Sequence, residues 1–404
     1  MTKILFIIDN KFRDLWGIYD LINKSKKENI RIDLCNKFNW MLAIKSLSPN
    51  VVILPNAKDL GGRVFQSMVN YLYSKKIIII VYPSEGLDYS KKSLKNEFPL
   101  KMAKKVTKYF LWAEKHGTYL RELGYKSKVT VIGTMKFHHH KILKKNSKKI
   151  KTIGVITTGR YTTSSFGDYE VNIPRIIHSR QHTKNTYFDS IKYLKNEIEF
   201  FDILSQIIKK NSKKFKFIIK PHPFENPQIY KDAYKEAEIY EDPNIGNFLS
   251  KVDVVLNQFS GGSYDAVLSN VPVINISNLI LMNKRKYFSD QANYPPSLLG
   301  HKVKSIDEIS KLLSRYNQET LFKKHYNRSE RNIVQSTAPK LNTVDLFIEE
   351  IKKLKIKNVK NINYFIFVKY YLKDLYLQWF NKRNTLFFPF RKSDKELLKK
   401  FKIN

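Results

Sequence analysis

Residues 217–226 read Phe-Ile-Ile-Lys-Pro-His-Pro-Phe-Glu-Asn and place one histidine under tight backbone control. The prolines at 221 and 223 fix φ on either side of His222 and remove two backbone donors. The apolar run Phe217-Ile218-Ile219 before them reads as a buried strand. A histidine at the C-terminal end of such a strand stands where open α/β sheets bind ligands. His222 can donate a charge-assisted hydrogen bond to a phosphate or to a leaving group, with Lys220 beside it. Glu225 and Asn226 follow at a helix start, where they either bind a ribose or sugar hydroxyl or cap the helix. Taken alone, the decapeptide is equally a proline-rich strand exit with a surface histidine.

Three further stretches carry usable groups. Tyr82-Pro83-Ser84-Glu85-Gly86-Leu87 follows an apolar strand. A carboxylate at that strand end can act as general base toward a hydroxyl nucleophile. Gly86 lets the backbone turn tightly or approach a ligand; an ordinary acidic turn is the alternative. Between a strand and a helix lie Asn257-Gln258-Phe259-Ser260-Gly261-Gly262-Ser263-Tyr264-Asp265-Ala266. Backbone N–H groups of small residues at a helix start make a phosphate site, with the serine hydroxyls as extra donors; otherwise Ser263 is a helix cap. Thr157-Thr158-Gly159-Arg160, after another strand, suits an acceptor or phosphate contact. The run His138-His139-His140 sits among lysines without a nearby Cys, Asp or Glu, so it reads as solvated linker and no metal site is expected. No Walker loop, G-x-G-x-x-G or zinc spacing occurs.

These groups need strand ends to carry them, and the chain supplies them. Strands are expected at 3–8, 30–34, 51–54, 77–82, 109–112 and 129–132, with helical patterns around 14–24, 63–74 and 115–123 between them. The pattern restarts with strands at 152–157, 216–220, 252–257 and 271–276 and helices at 187–210, 263–269 and 307–315. Such alternation implies parallel, doubly wound sheets. The expected organisation is an N-terminal Rossmann-like domain over 1–137, a linker over 138–151 and a second Rossmann-like domain over 152–345. A basic, aromatic helical segment over 346–404 completes it. Two such domains facing a cleft offer a preferred ligand site.

Composition narrows the partners. The chain has 404 residues, one cysteine and a net charge of +37. A lone Cys35 excludes an internal disulfide and fits a reducing compartment. Met1 to Asp9 reads as a first strand rather than a signal peptide, and no uncharged apolar run is long enough to span a bilayer. The charge points to nucleic acid, anionic membrane or acidic substrates. The excess is mostly lysine, whereas arginine is the better tool for phosphate and base recognition. Nucleic acid is therefore not the expected partner, and AT-rich coding accounts for part of the bias. Residues 363–380 alternate aromatics with lysines, which suits a helix lying on an anionic membrane. A helix packed back on the N-terminal domain is the alternative.

The order of Glu85-Gly86, then Lys220-Pro221-His222-Pro223, then the serine turn at 260–263 resembles the GT-B glycosyltransferases. In particular it resembles the bacterial surface carbohydrate (surface polysaccharide) biosynthesis family, akin to bacterial sialyltransferases and Kdo transferases. Phe12-Arg13-Asp14-Leu15 is similar to that family's Arg-Glu-Leu stretch, and Ser84-Glu85-Gly86-Leu87 to its Glu-Glu-Gly-Leu. Residues 131–137 are similar to its Gly-Asn-Pro-Arg-Phe-Asp segment, and His222-Pro223-Phe224-Glu225-Asn226 to its His-Pro-Ser-Glu-Asn. Residues 260–272 are similar to its serine/threonine turn, Glu-Ala helix and Pro-Val-Ile strand. Ser84, Met135, His138 and Asp265 depart from the pattern; Ser84 leaves Glu85 as the sole carboxylate for base work, and Asp265 shortens a ribose contact by one methylene.

The resemblance implies a transferase that moves a sugar, by preference a CMP-activated acidic sugar, to a glycan or lipid-linked hydroxyl. Glu85 would be the base, with Gly86, Arg13, Thr158 and Arg160 toward the acceptor or a phosphate. His222 would stabilise the leaving nucleotide, with Lys220, Pro223, Glu225, Asn226, Ser260, Gly261, Gly262, Ser263 and Asp265 around the donor. It implies no metal and no cofactor, and a cytoplasmic location at the inner face of the membrane. UDP- or GDP-hexose transfer, and glycerol- or ribitol-phosphate transfer, are the enzyme alternatives. A basic membrane- or nucleic-acid-binding protein and a degenerate transferase kept as an assembly partner are the others.

Overall fold

The computed structural model describes residues 1–8, 11–37, 39–56, 63–83, 98–125, 128–135, 149–158, 184–222, 225–242, 244–280, 299–325 and 342–356. The chain divides into two compact units, Met1–His139 with Gln335–Asn404, and His140–Val334.

The first unit holds β1 (Thr2–Ile8), β2 (Ile30–Asn36), β3 (Val51–Leu54), β4 (Ile78–Val81), β5 (Lys108–Leu111) and β6 (Val129–Val131). They form one sheet in the order β2-β1-β3-β4-β5-β6, every neighbour parallel. All four residues of β3, Val-Val-Ile-Leu, are buried, as expected of a parallel strand covered on both faces. One face carries the helices Trp40–Leu47, Arg63–Ser74, Leu100–Ala103 and Glu114–Glu122. Trp40, Met68, Tyr71, Met102 and Leu120 of this layer pack with Leu5, Val52, Val81, Tyr109 and Leu111 of the sheet. Side chains alternate along a strand, so Tyr82 and Phe110 point to the other face. There Phe347 meets both rings edge-on, at 5.9 Å and 5.2 Å.

Phe347 belongs to the helix Thr343–Lys352, whose buried residues Val344, Phe347, Ile348 and Ile351 form one stripe. Asp345 of that helix pairs with Lys24, and Lys352 with Glu28. The sequence reading carried the second domain to 345. The apolar stripe and these ion pairs join residues 343–352 to the first unit instead. The basic aromatic segment beyond 356 lies outside the described residues.

The second unit holds β7 (Thr152–Ile156), β8 (Lys216–Lys220), β9 (Ala237–Ile239), β10 (Val254–Asn257), β11 (Val273–Asn275) and β12 (His301–Lys302). Its sheet is also parallel throughout, in the order β12-β11-β10-β7-β8-β9. The chain builds outward from β7 to β9, then returns to the other side of β7 and builds outward again. The order therefore reverses between β7 and β10, the switch point at which doubly wound sheets open a crevice for ligands. Gly154 of β7 has no room for a side chain, since a Cβ would stand 2.7 Å from the Phe248 ring. The helix Ile245–Leu249 thus lies close against the strand beside that switch point.

Candidate functional site

The sequence-expected groups of the second unit gather at the C-terminal ends of β8, β7 and β10, three adjacent strands. Lys220 ends β8 and is buried. Its Nζ donates to the Asp242 carbonyl at 2.5 Å and lies 5.6 Å over the Tyr240 ring. Burial lowers its pKa to about 8, with Asp242 and Asp265 opposing the shift. The ammonium is therefore mostly charged at neutral pH.

His222, half-buried, is held by its backbone. Its N–H is shared between the Glu225 carboxylate and the Thr157 hydroxyl, the latter at 3.2 Å. Glu225 is only 3% exposed. One oxygen accepts from the Thr157 hydroxyl as well as from the His222 N–H, and the other from the Tyr230 hydroxyl at 2.9 Å. The carboxylate expected to meet a ribose or sugar is thus turned inward, where it braces the turn that carries His222. Asn226 caps the helix Pro227–Ala233, its side chain accepting from the Gln228 N–H at 3.1 Å, with Pro227 in the first helical turn. Of the two roles open for Asn226 in the sequence, the structure shows the cap.

At the end of β10, the Asn257 side chain accepts from the Ser260 N–H at 2.9 Å. Its amide nitrogen is buried without a hydrogen-bond partner among the described residues. The Ser260 hydroxyl accepts from the Gly262 N–H at 3.3 Å, and the Ser263 hydroxyl donates to the Ser260 carbonyl at 3.0 Å. Both serines therefore shape the turn into the helix Gly262–Leu268. A Cβ on Gly262 would stand 2.9 Å from Ile156 and Ile245, whereas one on Gly261 would meet nothing within 4 Å. The first glycine makes the turn close-packed and the second leaves its outer side open. Asp265 is buried within the helix. Thr158 follows β7, half-buried, beside this turn in the sheet order.

In the first unit, the exit of β4 is pinned. The Tyr82 hydroxyl donates to the Gly133 carbonyl at 3.3 Å and accepts from the Met135 N–H at 2.8 Å. The Trp112 indole donates to the Pro83 carbonyl at 2.7 Å. These bonds fix the chain where it enters residues 84–97. Glu85, Gly86, Arg160 and Pro223 lie outside the described residues, and so does the side chain of Arg13, whose backbone is in the helix Lys11–Lys27.

Sequence reasoning missed Tyr230 as a working part of the site, and held Asn257 and Thr157 within its candidate stretches without the bracing roles they play. Asn257 had a signal, an amide at a strand end just before a Ser-Gly turn. Tyr230 had none, because its partner is fixed by the fold. Among the described residues, no group of three His, Cys, Asp or Glu is placed to hold a metal. The second-unit groups offer a buried cation, a braced histidine and hydroxyls around a glycine turn, a set whose charge suits an anion better than a cation.

No protein-family model matches the chain, and no curated protein matches it. Solved structures do. The S. aureus MnaA–UDP co-structure has a TM-score of 0.53 at 12% identity, covering 87% of this chain and 96% of that one. The Methanocaldococcus jannaschii UDP-GlcNAc 2-epimerase in complex with UDP-GlcNAc and UDP has a TM-score of 0.51 at 12% identity, covering 87% and 99%. A variant of the wall teichoic acid polymerase TagF has a TM-score of 0.52 at 10% identity, covering 87% and 88%. With the two six-stranded parallel sheets, these likenesses establish the fold as GT-B, two Rossmann-like units in one chain.

Proposed function

We propose that the chain is a nucleotide-sugar-dependent glycosyltransferase of bacterial cell-surface polysaccharide synthesis. The observation that carries the reading is the grouping of Lys220, His222 and the Ser260–Ser263 turn at neighbouring strand ends around the β7/β10 switch point. There the donor's phosphate sits against the open side of Gly261 and the serine turn, within the field of the Lys220 ammonium. His222 donates to the phosphate oxygen that gains charge as the glycosidic bond breaks. Glu85, four residues past β4 in the sequence, takes the proton from the acceptor hydroxyl. That oxygen bonds to the anomeric carbon, and the electron pair of the broken bond leaves on the nucleotide. No metal or cofactor takes part in this scheme.

The preferred donor is a CMP-activated acidic sugar and the acceptor a glycan or lipid-linked hydroxyl. Work on such an acceptor would put the protein on the cytoplasmic side of the membrane, with the basic residues beyond 356 toward anionic headgroups. No helix among the described residues is long and apolar enough to cross a membrane. UDP in two of the neighbour structures favours a second reading with a uridine donor. A TagF structure soaked with CDPG favours a third, phosphate-polyol transfer.

Thermal unfolding with CMP, UDP, GDP and CDP separates these. CMP at a hundredfold excess over its Kd is expected to stabilise by about 2.7 kcal/mol. Stabilisation by UDP and not CMP would overturn the donor assignment, and silence from all four would overturn the nucleotide reading. In a transfer assay His222→Ala is expected to lose about a hundredfold in turnover.

A further inference from the structure

Asn257 ends β10, which lies beside β7 where the strand order of the second unit reverses. The residue is fully buried. Its Oδ1 accepts from the Ser260 N–H at 2.9 Å, and that donor fixes which end of the side-chain amide is oxygen. The other end, Nδ2, is buried and has no acceptor among the described residues. Buried amide donors are nearly always paired, so an unpaired one calls for a cause.

The neighbouring strand supplies a comparison. Asn275 ends β11, is the register partner of Asn257 and is buried to the same extent. Its Oδ1 accepts from the Ser277 N–H at 2.9 Å, closing the same kind of turn. Its Nδ2, however, donates to the Leu299 carbonyl at 3.2 Å. The fold satisfies one asparagine at both ends and leaves the other with a spare donor. Bracing the Ser260 turn needs only an acceptor, which aspartate supplies without an extra N–H to bury. The amide nitrogen of Asn257 is therefore not explained by the turn.

Its surroundings indicate what it meets. Asn257 is in register with Ile156 of β7, and Ile156 with Lys220 of β8. The three residues form one row across the switch point. The next residue along β7, Thr157, shares the His222 N–H with Glu225. Away from water an N–H bonds most strongly to a charged acceptor, and the buried Lys220 ammonium adds a cation to the same row. An anionic oxygen fits this place better than a neutral one.

We infer that Asn257 is a ligand-binding residue whose Nδ2 donates to a phosphate oxygen of the bound nucleotide. This role rests on the phosphate placement proposed above and adds a side-chain donor to it. The ligand-free turn keeps Nδ2 from solvent. The phosphate reaches it by shifting the Gly261 side of the turn, where even a Cβ would meet nothing within 4 Å.

Calorimetry on the full chain tests the role, with CMP, UDP, GDP, CDP and inorganic pyrophosphate as probes. Asn257→Asp keeps an acceptor for the Ser260 N–H and loses the donor. It is expected to bind the nucleotide that wild type binds roughly ten- to a hundredfold more weakly. Undiminished binding by this variant would overturn the role and leave Asn257 a brace alone. The new carboxylate also repels anions, so a second measurement uses the wild type. The side-chain amide NMR signal of Asn257 is expected to move downfield on addition of the bound nucleotide, the mark of a new hydrogen bond. A signal that stays in place would overturn the role even if Asn257→Asp binds weakly or fails to fold. Binding of pyrophosphate but of no nucleotide, with the same dependence on Asn257, would keep the anion contact and refute the nucleotide reading. Binding of none of these probes would overturn both.

Discussion

Glu225 shows how a single side chain changes meaning between sequence and structure. Its carboxylate is buried and receives donors from Thr157, His222 and Tyr230. Glutamine in its place can accept through one atom only, so at least one buried donor would face an amide N–H. Glu225→Gln is therefore expected to lower stability by about 1–3 kcal/mol in urea unfolding. Thr157→Val should cost a similar amount, and the double variant little more than the worse single, because one network is lost only once. Unchanged stability in Glu225→Gln would return the carboxylate to ligand binding. The decapeptide 217–226 was visible in the sequence as a rigid histidine mount. The direction of Glu225 was not, because it is set by Thr157, which lies 68 residues away along the chain. Asn226 was legible as one of two options, since cap residues before Pro carry a local signature.

Elements with strong local patterns were legible. Val51–Leu54, Arg63–Ser74 and Lys216–Lys220 occur with the bounds their apolar runs suggest. Ala237–Ile239 and His301–Lys302 did not announce themselves, being edge strands of three and two residues with polar members. Trp40–Leu47 starts without a side-chain cap, which removes the usual start signal. Thr343–Lys352 has a clear helical stripe, yet a stripe states only that a partner exists and not which sheet supplies it. Phe347, fully buried between Tyr82 and Phe110, identifies that partner. Phe347→Ala is expected to destabilise the first unit by about 3–5 kcal/mol. Hydrogen exchange should show it, with protection falling in β4, β5 and the helix Lys11–Lys27 while the strands of the second unit keep theirs. Equal loss in both units would show that they unfold as one.

At the scale of the molecule, charge sets the response to pH. His116 is buried in the first unit, and burial, with Lys115 adding to it, lowers its pKa from 6.5 to about 4. The unfolded chain then binds a proton that the folded one refuses between those values. Stability contributed by the neutral ring is full above pH 6.5 and is lost as pH falls toward 4. The wild type is expected to lose on the order of 3 kcal/mol over this window, and His116→Gln is expected to lose less. Parallel acid profiles in chemical denaturation would refute this account. The alternation of strands and helices made two doubly wound units legible from composition and period alone. The strand orders were not, since order depends on which strands meet rather than on what each is made of.

The first unit is assembled from both ends of the chain, residues 1–139 and 335–404, whereas the second is one continuous span. On a ribosome, the sheet face around Tyr82 and Phe110 emerges long before the helix that covers it. From Phe110 to Thr343 the chain runs 233 residues, which at ~5–20 residues per second is a wait of roughly 12–47 seconds. During that interval the second unit can fold to completion while the first still shows an open aromatic surface. Chaperone demand during synthesis should therefore concentrate on the early-made half, and truncation before residue 343 should impair the unit that was translated first.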